Sequence, residues 1–279
     1  MNLYFAFLFC VASQTKIKYL NFMNRNFSTQ AIILSIKSSG ENNSTVTLLT
    51  KSNGILYATL YGGPKSKMKS LVTTWNSGVI YLYENPTVKG LKITDFDVKN
   101  YHSSFSQNLF KLWAASLVAE ISIKTKCAGS NEQCFNLVSG FLDGLELVNE
   151  EQGKLGLIRF LWRYIELLGI RSDSSFCAKC GKSFLEAPSS SLLQQNHFYN
   201  MIGNNFICSE CGKFEERKIP INHQALSYLT ALSVLSPSEV RKLSIDKNGF
   251  EQIKQIVFFI IQNNIDSKLN SIETGIGIL

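Results

Sequence analysis

Two identical spacings of cysteine constrain this chain more than any other feature. Cys177 and Cys180 form one C-x-x-C-G motif, and Cys208 and Cys211 form a second after 27 intervening residues. Each motif can aim two thiolates at one centre, and two motifs supply the four ligands of a tetrahedral zinc site. Redox pairs and four unrelated thiols are the alternatives. Because four protein thiolates leave no coordination position for water, such a zinc ion would be structural and not catalytic.

The first hundred residues have the pattern of short β-strands. Alternating or apolar runs predict strands at about 29–36, 45–50, 55–61, 79–83 and 91–98. Asn53-Gly54 predicts a hairpin turn between the second and third strands. Five short strands in about 70 residues match the size of a small barrel such as an OB-fold.

From residue 101 onward the apolar residues recur at helical spacing. This pattern predicts helices over about 104–117, 130–145, 157–168, 224–234 and 250–263. Ser104 and Ser130 each stand three residues before a glutamine, so both are candidates for capping boxes. We therefore expect an α+β protein with an N-terminal five-stranded OB-fold barrel, a helical domain and a Cys₄ zinc-ribbon-like insertion.

The expected domains are a barrel over residues 23–100 and a helical domain over 101–279, with the zinc module at about 172–220. The apolar run over residues 1–12 is shorter than the ~20 residues that span a bilayer. It also lacks a basic start and a small-residue cleavage pattern. We interpret residues 1–22 as an upstream extension outside the fold, and a weak membrane or export segment is the alternative.

Positive charge is concentrated in the barrel region. The formal net charge is +7, yet residues 101–279 contain equal numbers of basic and acidic side chains. A basic domain beside a neutral one is typical of a protein that binds a polyanion. The candidate phosphate-binding residues lie in a glycine-containing loop and on the neighbouring strands: Lys65, Lys67, Lys69, Lys37 and Lys51. Strand tyrosines such as Tyr57 and Tyr61 could stack on bases, although strand aromatics are usually core residues.

Little in the sequence indicates catalysis. The chain has three histidines, and none of them falls in a recognisable catalytic constellation. A zinc enzyme remains an alternative, but it would need an open coordination position. We therefore predict a protein that is not an enzyme.

Three stretches together resemble the RecO family of recombination mediators. They are Glu41 followed by residues 46–50 and Gly54, the loop from Gly62 through Lys67, and the helix from Phe160 through Ile170 that leads into Cys177. The order of basic barrel, helical domain and inserted C-x-x-C pairs is also similar to that family. The basic loop is shorter than is usual there and contains lysine where arginine is common.

The resemblance implies a DNA-repair mediator of the cytoplasm and nucleoid with structural zinc. Such a protein binds single- and double-stranded DNA, anneals strands coated with single-strand-binding protein, and helps RecR to load recombinase. The acidic tail of single-strand-binding protein would bind the helical domain, where Arg159, Trp162 and Arg163 are the candidate contacts. A generic OB-fold protein that binds single-stranded nucleic acid and contains a structural zinc module is the alternative.

Overall fold

The strand pattern of the first hundred residues folds into a closed barrel. The computed structural model describes residues 25–63, 66–87, 90–127, 129–184, 196–265, 268–275 and 277–279. The barrel strands are β1 (Asn26–Ser39), β2 (Asn43–Thr50), β3 (Gly54–Leu60), β4 (Ser77–Asn85) and β5 (Gly90–Asn100). They pair in the order β1-β2-β3-β5-β4, and β4 pairs with β1 to close the barrel. The predicted five-stranded barrel is thus confirmed.

The middle of strand β1 is buried on both of its faces. Ala31 and Ile33 point into the barrel, whereas Ile32 and Leu34 belong to the apolar core of the helical region. Because successive strand residues face opposite sides, a strand between two cores needs an unbroken apolar run. The run from Ala31 to Leu34 therefore joins the barrel to the helices.

The predicted hairpin turn lies between β2 and β3. Gly54 has a φ of +67°, which is the left-handed region that glycine adopts readily. The hydroxyl of Thr50 donates to the Gly54 carbonyl oxygen at 2.8 Å and accepts from the backbone N–H of Asn53 at 3.2 Å. A side chain at Gly54 would also meet the Oδ1 of Asn131 at 2.6 Å, so the turn packs closely against the helices.

Helices form most of the second part of the chain. A short helix, α1 (Lys67–Leu71), lies between β3 and β4. A 3₁₀ helix follows the barrel over Ser103–Gln107. The longer helices are α2 (Leu109–Thr125), α3 (Asn131–Leu147), α4 (Glu150–Leu167), α6 (His223–Val234) and α8 (Lys247–Asn264), and the short ones are α5 (Ser209–Gly212), α7 (Pro237–Val240) and α9 (Asn270–Thr274).

Polar side chains cap the N-termini of the long helices, and two predictions about where helices begin need correction. Ser130 caps α3 as predicted, because its side chain accepts from the backbone N–H of Gln133. Ser104 does not cap a helix: it lies in the 3₁₀ segment, and Asn108 caps α2 instead. Helix α4 begins at Glu150, seven residues before its predicted start, because Asn149 caps it there. Its first two turns are largely polar and contain two glycines, which hides them from an apolar pattern.

The cysteine motifs lie in a small module between α4 and α6. Its three-stranded sheet contains β6 (Asn196–Asn200), β7 (Asn205–Ile207) and β8 (Lys218–Asn222), with β6 in the centre. The module shares the helical core through buried residues such as Tyr199 and Phe206. The domain boundaries stay a prediction, and the expected extension over residues 1–22 lies outside the described residues. Within the described parts of the chain, no helix is both long and apolar enough to cross a membrane.

Candidate functional site

The four cysteines of the two C-x-x-C-G motifs converge on one point. Their Sγ atoms all lie within 4.8 Å of one another. The first motif follows α4 in a tight hairpin that pairs Phe176 with Ser183. The second motif begins where β7 ends and forms the first turn of α5. The two motifs are far apart in the sequence, and each supplies two of the four thiols of a single cluster.

Backbone N–H groups point at the sulfur atoms. The N–H of Cys208 donates to the Sγ of Cys177 at 3.3 Å, and the N–H of Cys211 donates to the Sγ of Cys208 at 3.5 Å. Burial by itself raises the pKa of the Cys177 thiol, but the N–H groups of Cys208, Cys180 and Lys179 outweigh it and lower this pKa to about 6. Cys177 therefore favours the thiolate, which is the form that binds metal, whereas the hydrogen bond with the Cys208 thiol raises the pKa of Cys211 to about 12.

The glycine after each cysteine pair has a structural reason. Gly181 has a φ of +71°, so it completes the first turn in a left-handed conformation. At Gly212 a side chain would approach the Cδ2 of Phe198 to 2.3 Å, so only glycine lets α5 lie against β6. The Sγ atoms of Cys180 and Cys208 lie 3.8 Å apart, and Zn–S bonds of ~2.3 Å in a tetrahedral thiolate site would place sulfur atoms at roughly that spacing. The four cysteines can thus hold a metal ion.

A second candidate site crosses the outside of the barrel. The strand registers align Lys37 with Thr45, Thr45 with Thr59, and Thr59 with Lys92. We call this line of four residues the barrel row. Both lysines of the barrel row are exposed. The row therefore presents two ammonium groups on one continuous face formed by β1, β2, β3 and β5.

Two exposed tyrosines flank the barrel row on the β3 side. Tyr57 and Tyr61 are 57% and 51% exposed, which is unusual for large aromatic side chains. The Nζ of Lys92 lies 5.3 Å from the centre of the Tyr61 ring, within the range of a cation–π contact. Lysines beside exposed aromatic rings are the arrangement that nucleic-acid strands bind by phosphate contacts and base stacking.

The other predicted lysines lie apart from the barrel row. Lys51 lies beside the β2–β3 turn, where its Nζ pairs with Glu132 of α3 at 3.2 Å. Lys67 and Lys69 are in α1, whose Met68 packs against the interior of the barrel. Lys67 is exposed and Lys69 is half-buried, whereas Lys65 lies outside the described residues. The predicted set is therefore divided among three places on the barrel.

The predicted partner-binding residues of α4 have different environments. Trp162 is completely buried, and its indole N–H donates to the hydroxyl of Ser233 at 3.2 Å. The expectation that Trp162 contacts the acidic tail needs correction, because the side chain is completely buried and no partner can reach it in this fold. Arg159 is half-buried and its Nε donates to the hydroxyl of Tyr228 at 2.7 Å.

The guanidinium group of Arg163 has no ion-pair partner among the described residues. Burial, followed by the positive charge of Arg159, lowers the pKa of the Arg163 guanidinium. Its Nη2 is buried and has no hydrogen-bond acceptor among the described residues. The nearby carboxylate of Glu166 is already paired with Arg171 at 2.6 Å. Arg241 adds a third arginine to this cluster, and sequence reasoning missed it because no local pattern links α7 to α4.

The fold and these sites define the class of the protein as a barrel joined to a helical region that contains a four-thiol module. A family model described as "Recombination protein O C terminal" matches residues 106–273, which is more than half of the chain. The chain therefore belongs to the recombination protein O (RecO) family. The predicted family is confirmed.

Three proteins named "DNA repair protein RecO" are similar to the chain. The protein from Moorella thermoacetica is 21% identical over 247 residues, which cover 88% of each chain. The protein from Heliobacterium modesticaldum is 26% identical over 160 residues, or 57% of each chain. The protein from Bacillus pumilus is 21% identical over 234 residues, which cover 82% of this chain and 85% of that relative. The chain is thus a member of a DNA repair and recombination family.

Proposed function

We propose that this protein binds DNA on the barrel row and anneals complementary strands that are coated with single-strand-binding protein. The observation that carries the proposal is the alignment of Lys37 in β1 with Lys92 in β5 through the strands β2 and β3, beside the exposed rings of Tyr57 and Tyr61. Lysines on such a face neutralise phosphates without reading bases. Two strands held in this way can approach each other and search for complementary register.

We propose that the lysines in α1 and just before it also bind DNA phosphates. Lys67 and Lys69 lie in α1, which Met68 fixes on the barrel, and Lys65 comes two residues before Lys67 in the sequence. Replacing the three lysines together by alanine should weaken binding to all DNA sequences alike. For duplex DNA, the salt slope should fall by about one unit for each phosphate that the variant no longer neutralises. We propose a smaller part for Lys51, because Glu132 already neutralises its charge.

The arginine cluster of α4 and α7 is the proposed site for the acidic tail of single-strand-binding protein. Arg159 and Arg241 both lie close enough to Arg163 to repel its positive charge, and the unpaired Nη2 of Arg163 requires an acceptor. A carboxylate from an acidic peptide would supply that acceptor. Replacing Arg163 with glutamine should weaken binding of a tail peptide, as measured by fluorescence anisotropy. Unchanged affinity would exclude this site.

We propose that the four-thiol cluster holds a structural zinc ion through Cys177, Cys180, Cys208 and Cys211. All four ligand positions would be filled by protein, so the ion would stabilise the module and leave no place for a substrate. In this proposal the protein catalyses no covalent reaction. It acts at the nucleoid in the cytoplasm, together with RecR, to help load recombinase on gapped DNA.

Annealing of pre-coated strands tests the function directly. Two complementary labelled strands are coated with single-strand-binding protein, and pairing is followed by fluorescence with and without this protein. We expect faster pairing with the wild type and with Lys51→Ala, and slower pairing with the Lys37→Ala, Lys92→Ala double variant. DNA binding without annealing would favour the alternative of a generic single-strand-binding barrel, which the exposed tyrosines would also suit. Absence of DNA binding at low salt would refute both functions.

A further inference from the structure

Two tyrosines lie on the outer face of the barrel, one in β3 and one directly after it. Ala58 and Leu60 of β3 point into the barrel. Because successive strand residues face opposite sides, Tyr57, Thr59 and Tyr61 face outward. Both tyrosines are more than half exposed, although large aromatic side chains are usually covered. We call Tyr57 and Tyr61 the tyrosine pair.

Polar groups border the tyrosine pair. The strand register aligns Tyr57 with Thr47 of β2, whose Oγ1 accepts from the hydroxyl of Ser35 in β1 at 3.0 Å. Tyr61 lies on the same face of the barrel as the barrel row, because the Nζ of Lys92 lies 5.3 Å from the centre of its ring. Hydroxyl and ammonium groups thus lie beside two rings that are open to a ligand.

The spacing of the tyrosine pair decides which form of DNA can contact both rings. The two residues are four positions apart, so an extended chain with a rise of ~3.3 Å per residue places their Cα atoms ~13 Å apart. Neighbouring bases of a stacked strand are only ~3.4 Å apart. Both faces of a base inside a duplex are covered by its neighbours, which leaves no face for a tyrosine. A strand that stacks on both rings must therefore be extended and unstacked between them.

We infer, on the basis of the proposed DNA binding, that the tyrosine pair holds two non-adjacent bases of an extended single strand and makes the barrel select single-stranded over duplex DNA. The lysines of the barrel row neutralise phosphates of either form. Stacking on tyrosine tolerates any sequence, because every base has a π-face. A base that stacks by its face keeps its hydrogen-bonding edge free, so the bound strand can still pair with a complementary strand.

A third exposed tyrosine of the barrel has a different setting. Tyr81 of β4 is 43% exposed. The strand register places Asp95 of β5 directly opposite it, and Asp95 is exposed as well. A carboxylate at this position repels the phosphates of a strand that would reach the ring. Tyr81 is therefore the matched control for the tyrosine pair, because it is an exposed strand tyrosine outside the proposed DNA site.

Fluorescence anisotropy of the full-length protein with a labelled single strand and with the duplex of the same sequence tests this selectivity. The Tyr57→Ala, Tyr61→Ala variant should bind the single strand more weakly by about fivefold or more for each tyrosine, because each removes one stacked base. Its affinity for the duplex should stay that of the wild type. The Tyr57→Phe, Tyr61→Phe variant keeps both rings and should bind like the wild type, and so should Tyr81→Ala. Circular dichroism and thermal unfolding verify that each variant is folded.

The Lys37→Ala, Lys92→Ala variant separates this inference from the proposed function. Loss of the two lysines should weaken binding of the single strand and of the duplex alike, since both forms contain phosphates. An unchanged single-strand affinity in the tyrosine-to-alanine variant, or an equal loss for both forms of DNA, would overturn the role of the tyrosine pair and leave the barrel row intact. Loss of single-strand binding in the tyrosine-to-phenylalanine variant would also overturn it, because that variant keeps the stacking surfaces. A selective loss in the alanine variant together with no effect of the lysine variant would instead refute the barrel row and support the tyrosine pair.

Discussion

Replacement of both lysines of the barrel row should reduce the salt dependence of DNA binding. Lys37 and Lys92 are exposed, and neither forms an ion pair with any described residue. Each contact with a phosphate of single-stranded DNA contributes about 0.7 to the slope of log affinity against log salt, so the Lys37→Ala, Lys92→Ala variant should have a slope that is smaller by about 1.4 units. Between about 50 mM and about 200 mM salt, wild-type affinity should therefore fall about sevenfold more than that of the variant.

Fluorescence anisotropy with a labelled single strand of mixed sequence measures this slope. Lys51→Ala is the matched control, because it removes one lysine from the same barrel while the charge of that lysine is already paired with Glu132. We expect the slope of this control to stay close to that of the wild type. An unchanged slope in the double variant, or an equal reduction in Lys51→Ala, would refute the assignment of phosphate contacts to the barrel row.

Three further perturbations test the fold that holds these sites. Cys208→Ser, or removal of metal by a chelator, should lower the melting temperature of the protein, and an unaffected melting temperature after full metal removal would exclude a structural ion. Trp162→Ala should cost about 3–5 kcal/mol in chemical denaturation because the ring is fully buried, whereas Leu147→Ala, at an 86% exposed site, should change stability by less than about 0.5 kcal/mol. Burial raises the pKa of the Glu120 carboxyl, but the N–H of Ser271 and the ammonium of Lys124 outweigh it and lower this pKa. The ionised carboxylate therefore stabilises the fold at neutral pH, and this stabilisation is lost in acid. Glu120→Gln should accordingly lower the melting temperature more at neutral pH than at about pH 3.

The barrel could be predicted from the sequence because its strands obey local rules. The turn glycine at Gly54 and the apolar alternation of the strands indicate how many strands there are and where they lie in the chain. The four cysteines could also be predicted as a group that can hold a metal ion, because the C-x-x-C spacing brings two thiols together in each motif. In both cases the relevant contacts are made by residues close together in the sequence or by a repeated motif.

The remaining features depend on contacts between distant segments. The helical pattern at Trp162 gives no sign that α6 covers this face of α4, so the sequence alone does not distinguish this core residue from a surface one. The pairing of Lys51 with Glu132 requires the β2–β3 turn to lie against α3, which no local pattern predicts. The buried side chain of His102 likewise contacts both Trp75 and Asp143, which are far apart in the sequence.

Photocrosslinking tests the location of the DNA site most directly. A single strand that contains photoreactive bases is irradiated with the zinc-loaded protein, and crosslinked tryptic peptides are identified by mass spectrometry. Tyr57 and Tyr61 lie together in the tryptic peptide of residues 52–65, because Lys51 and Lys65 bound it. We expect this peptide to contain the main crosslinks. Crosslinks confined to residues 101–279, with none in the barrel, would contradict it.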